Sequence, residues 1–150
     1  MITKEQIIPI LLKASPTFQK ILDECDDKDL IYIVLGDFAR HLLEMQKTGQ
    51  FEVLKSAAEA IEQLELNGDH FVREAATIGL LEGIQNVWGN NDVNPDLFKQ
   101  FLLPESLKWW NELNAFWNGE RRFVGEGFTK TLSVDEIEKI REERRKFFNK

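Results

Sequence analysis

The chain has 150 residues, 43% of them hydrophobic and 30% charged, with four prolines and nine glycines. That size and balance suit one globular domain with a core, and they exclude a disordered or low-complexity chain. The formal net charge is −7, and an acidic body repels phosphates, so nucleic acid is not an expected partner.

The charge is uneven. Residues 1–75 carry eight Lys/Arg against fourteen Asp/Glu, residues 76–118 two against five, and residues 119–150 nine against seven. The longest uncharged apolar run, from Leu30 to Gly36, is far shorter than the roughly 20 residues that cross a bilayer, so no membrane partner is expected. The start Met1-Ile2-Thr3-Lys4-Glu5 lacks a basic-then-apolar signal peptide. The single cysteine, Cys25, has no internal disulfide partner, and the cytoplasm is the expected compartment.

Taken in order, Thr3-Lys4-Glu5-Gln6 has capping-box spacing and predicts a helix from Lys4. Pro9 predicts a kink or restart within it. Ser15-Pro16 predicts a second helix, with Ser as N-cap and Pro at the first helical position. A third is expected from Asp27 or Asp29 to Lys47, stopped by Gly49, on the period of Leu30, Ile31, Val34, Phe38, Leu42 and Met45. A fourth runs from Phe51 to Leu66 and buries Val53, Leu54, Ala57, Ala58, Ile61 and Leu64.

The fifth predicted helix, Asp69 to Trp88, is apolar in nearly every direction, so it belongs at the centre of the fold. Ala76, Gly79 and Gly83 share one flank where a neighbouring backbone can come close. Asn94-Pro95 opens a short sixth helix with Leu97, Phe98 and Phe101, and Pro104 opens a seventh that Asn118-Gly119 stops. Residues 119–132 read as a loop. Ser133-Val134-Asp135-Glu136 is a second capping box, starting a charged helix over 133–150 that docks through Val134, Ile137, Ile140, Phe147 and Phe148. No alternating segments flank a hairpin turn. The expected fold is all-α, one domain over 1–150, as an irregular bundle or a short HEAT-like stack of α-hairpins with about seven to eight helices.

Chemistry is sparse. His41 and His70 lie on different predicted helices without a ligand-spaced companion, and Cys25 stands alone, so neither metal nor cofactor is expected. Asp23, Glu24, Asp26, Asp27 and Asp29 form a dense acidic turn without the spacing of a calcium loop. It reads either as a helix-capping, solvated turn or as a surface for a basic partner. No nucleophile elbow and no phosphate-cradling glycine loop is present. Asp37 and His41 have the spacing of an oriented base, but a surface ladder of Asp37 with His41 and Arg40 with Glu44 is the stronger reading.

Glu82, Gln85 and Asn86 interrupt the central helix. Either they meet a buried partner such as Arg40 or Arg73, or they line a pocket, because a lone buried charge costs several kcal/mol. In the seventh helix, Leu107, Trp110, Leu113 and Trp117 make a core stripe. Trp109 and Phe116 fall to one side of it, either packed or exposed as interface anchors.

The stretches from Val72 to Asn86 and from Leu102 to Trp110, with Leu35-Gly36-Asp37-Phe38-Ala39-Arg40, resemble a group of small helical bacterial proteins without established activity. Some members are associated with immunity against polymorphic or contact-delivered toxins. The resemblance covers about residues 1–118, and no catalytic residue carries over from it. It implies a non-catalytic module that binds a protein partner, most concretely a basic toxin domain; by charge and position, Asp23, Glu24, Asp26, Asp27, Asp29 and Trp109 are the residues expected to meet that partner. The rival expectation is a small ligand-binding protein or enzyme with a pocket at Glu82, Gln85, Asn86 and Arg40.

Overall fold

The computed structural model describes residues 1–117, and every regular element there is helical. The helices are α1 (Lys4–Ala14), α2 (Phe18–Asp23), α3 (Ile31–Lys47), α4 (Phe51–Asn67), α5 (His70–Glu74), α6 (Glu82–Asn90), α7 (Asp96–Lys99) and α8 (Pro104–Trp117). A π-helical segment, Ala75–Leu81, joins α5 to α6 without a break. The expected stop at Asn118-Gly119, the loop 119–132 and the helix 133–150 lie outside the described residues.

The Thr3–Gln6 box forms, with the Thr3 amide donating to Gln6 Oε1 at 2.8 Å. Helix α1 then runs unbroken through Pro9, which sits on its exposed face where the bare carbonyl one turn back meets solvent. Residue Ile2 ties the start of the chain to the α4–α5 turn. Its amide donates to the Asn67 carbonyl at 2.8 Å, and its carbonyl accepts the Asp69 amide at 2.9 Å.

Two starts differ from expectation. Helix α2 begins at Phe18, not at Pro16, because Ser15 ends α1 and turns its hydroxyl inward to His41. Helix α3 begins at Ile31 with Leu30 at its cap position, and no aspartate of the preceding turn caps it.

The expected fifth helix is the centre. All seven π-helical residues are buried, and α3, α4 and α8 pack around the segment. The small flank works as the spacing implies. A Cβ on Gly79 would lie 2.5 Å from Leu35 Cδ1, and one on Gly83 would meet the Ala39 methyl at 3.7 Å. Helix α3 therefore settles against this rod closely enough for Trp88 Nε1 to donate to the Ala39 carbonyl at 3.2 Å. The π register itself has no counterpart in the apolar pattern. Helix α1 packs on α4 and α5, and α8 on α4 and the π segment. These contacts wrap a central rod, as in an irregular bundle, whereas a solenoid stacks each unit only on its neighbours.

Candidate functional site

The acidic turn is where the sequence places it, and it is outward. Asp23 ends α2; Glu24, Asp26, Asp27 and Asp29 follow before α3, and all five are exposed. Gln19 Nε2 donates to Asp23 Oδ1 at 2.8 Å. Leu30 closes the turn with 49% of its surface exposed, an apolar side chain at the edge of a carboxylate rim.

Trp109 lies elsewhere, on α8. It is half-buried against the core, its indole N–H donates to Glu105 Oε1 at 3.2 Å, and the Lys108 ammonium sits 5.4 Å from its ring. Phe116 is half-buried as well, and Trp110 and Leu113 fill the core. Trp117, expected in that core stripe, is instead exposed at the last described turn.

The candidate pocket residues differ in exposure. Glu82, the first residue of α6, is only 2% exposed. Gln85 donates to the Trp110 carbonyl at 3.3 Å, and Asn86 is half-buried. Arg40 points outward and pairs with Asp37 at 3.1 Å. The expected ladder is thereby re-paired. Asp37 takes Arg40, Glu44 takes Lys47 at 3.8 Å, and His41 turns into the core. A groove of about 610 Å³ opens elsewhere, between α1 and α4, with Ile10, Ala14, Ala60 and Leu103 on its walls and Lys13 and Glu59 at its rim.

Two internal clusters hold the groups most able to do chemistry. In the first, Ser15 Oγ and His41 Nε2 share a hydrogen bond of 2.7 Å, with Phe18 and Phe38 tilted against the imidazole. Ser15 has no exposed surface, so the pair clasps the α1–α2 turn to α3. Burial lowers the His41 pKa, since desolvation disfavours the cation.

The second cluster escaped the sequence reading. Glu62 and Glu65 of α4 are buried at the junction with the π segment and α8. Glu62 Oε1 accepts the Ser106 amide at 2.8 Å and the Ser106 hydroxyl at 2.7 Å, and Oε2 accepts the Glu105 amide at 3.1 Å. A glutamate of another helix thus caps the start of α8, where free amides and the helix dipole favour a carboxylate. Glu65 Oε1 accepts the Thr77 hydroxyl at 2.7 Å. Its pKa is raised to about 8, chiefly by burial.

A signal for this cluster exists in the sequence. Glu62 is four residues beyond Ala58 and Glu65 four beyond Ile61, on the apolar stripe of α4. In addition, α8 starts after Leu102-Leu103 with no Ser, Thr, Asp or Asn to cap it, so its cap must come from elsewhere. Among the described residues, no group of three or more His, Cys, Asp or Glu is arranged to hold a metal, and no helix is long and apolar enough to cross a membrane.

No curated relative and no solved structure matches this chain. Residues 8–118 match the family described as Domain of unknown function (DUF7674). The chain therefore belongs to the DUF7674 family.

Proposed function

We infer that this chain is a non-catalytic protein-binding module, most concretely an immunity protein that masks a basic toxin domain. The observation that carries the reading is the outward acidic turn Asp23–Asp29 ending in exposed Leu30. A carboxylate rim beside an apolar side chain suits a protein surface, with charge for steering and apolar area for retention. Residues 1–118 hold ten Lys/Arg against nineteen Asp/Glu, so the field of the whole body favours a basic partner. The groups that resemble catalytic ones work inward instead. Ser15 and His41 clasp a turn, and Glu62 caps a helix.

The rival reading places a small ligand at Glu82, Gln85 and Asn86. The burial of Glu82 weighs against it, because a carboxylate only 2% exposed presents almost no surface to a ligand. The two readings separate in one experiment, measuring association with the product of the neighbouring gene. On the binding reading the neighbour associates and reversing Asp26, Asp27 and Asp29 to Lys slows it; on the rival reading the neighbour does not associate at all.

A further inference from the structure

Two carboxyl groups of α4, one helical turn apart, face the same buried junction and are served unequally. Glu62, 6% exposed, receives two backbone amides and a hydroxyl from the first turn of α8. Glu65, 4% exposed, receives one side-chain donor, the Thr77 hydroxyl. A buried carboxylate needs several donors or a cation to hold its charge. The charges facing Glu65 do not supply that. Glu62 on its own helix and Glu105 on α8 both repel a second anion, and Arg73 on α5 opposes them from the exposed side of the cluster. From the π segment comes only the neutral Thr77.

We propose that Glu62, Glu65, Thr77 and Ser106 form a proton-controlled latch joining α4, the π-helical segment and α8. Protonated Glu65 closes the latch; losing that proton loosens α8. With the proton in place, the junction holds one negative charge, that of Glu62, where the amides of α8 neutralise it. When Glu65 ionises, a second charge appears one turn away in the same buried junction. Hydration relieves it, and water enters only where α8 or the π segment moves off α4. Helix α8 carries Trp109 and Trp110, so loosening it alters the aromatic side of the molecule. The latch stands independently of the binding reading above.

The proton balance gives the test a sharp form. Glu65 has a folded pKa raised from 4.5 to about 8, so the closed state is favoured most below 4.5 and loses its advantage as pH rises through 8. Opening of α8 should therefore grow about tenfold per pH unit between those limits and then level off. Hydrogen–deuterium exchange of the α8 amides in the full chain, corrected for intrinsic rates between pH 5 and 9.5, reads this directly. Glu65→Gln should keep α8 protected and remove the slope. Thr77→Val, which deletes the donor that favours the anion, should keep the slope and move the plateau above pH 8. A flat wild-type profile, a slope that persists in Glu65→Gln, or a plateau unmoved in Thr77→Val would each overturn the latch.

Discussion

Ser15 and His41 lie 26 positions apart in sequence and share a hydrogen bond of 2.7 Å inside the core. The bond fixes where α1 ends and sets how the protein responds to acid. The His41 pKa is lowered from 6.5 by burial, so folding disfavours the imidazolium. Stability from this site is complete above pH 6.5 and is lost as pH falls from there through the lowered folded pKa. Thermal unfolding followed between pH 8 and 5 should show that loss. Ser15→Ala at pH 7.5 should cost about 1–3 kcal/mol, because it takes the 2.7 Å partner from a buried ring nitrogen and leaves it only Thr17 Oγ1 at 3.5 Å. An unchanged melting temperature in Ser15→Ala would show that the bond contributes nothing.

The glycines of the α4–α5 turn and of the central rod rank by what a methyl group would strike. At Gly68 it would lie 2.4 Å from the Leu64 carbonyl oxygen and 2.8 Å from Val72 Cβ, atoms that cannot move without the backbone. At Gly79 it would press on the end of the buried Leu35 side chain, and at Gly83 it would make an ordinary contact. Gly68→Ala should therefore destabilise most. Gly79→Ala should cost about 1–3 kcal/mol of overpacking, partly offset by about 1 kcal/mol of helix propensity. Gly83→Ala should be neutral or stabilising. Denaturant midpoints of the three variants test this order, and a Gly83→Ala variant weaker than Gly68→Ala would refute it.

Glu62 should matter more than a surface carboxylate. Glu62→Ala leaves two buried amides and the Ser106 hydroxyl of α8 without their acceptor, and such losses cost about 1–3 kcal/mol or more. Glu62→Gln keeps one acceptor oxygen and should recover part of that. Chemical denaturation followed by tryptophan fluorescence measures both. Equal stability of Glu62→Ala and wild type would mean that α8 is held by apolar packing alone.

Most of the fold is legible because it follows local rules. Thr3–Gln6, Gly49 and Asp69 mark helix ends by capping chemistry, Pro104 marks the start of α8 by its fixed φ, and Ala76, Gly79 and Gly83 foretell the close approach of α3. What escapes is non-local. Ser15 looks like the N-cap of α2, yet its hydroxyl is claimed by a histidine from another helix. Glu62 and Glu65 stand on the apolar stripe of α4, but only tertiary contacts make Glu62 a remote cap and leave Glu65 buried with a single donor. The π turn at Ala75–Leu81 adds a residue to one helical turn without any change in composition to announce it. The acidic turn is legible as a cluster, but Leu30 lies on the apolar period of α3, which gives no sign of its exposure.

Trp109 should behave as a half-buried side chain. Trp109→Ala should lower the melting temperature modestly, well short of the 3–5 kcal/mol that truncating a fully buried tryptophan costs. If α8 also touches the partner, the variant should speed dissociation while leaving association unchanged. Stopped-flow and melting curves of the same variant separate the two effects. A loss of binding matched by a collapse of stability would leave Trp109 no role at an interface.

The central claim is that the acidic turn meets a basic protein partner, and co-expression with the product of the adjacent gene tests it most directly. The expected result is a neighbour toxic when expressed alone, neutralised by this chain and captured with it. Capture should weaken as salt shortens the reach of charge, which is about 8 Å at physiological ionic strength, and should fall when Asp26, Asp27 and Asp29 are reversed to Lys in a variant that still folds. A neighbour that is harmless alone and is not captured at any salt concentration would contradict the account.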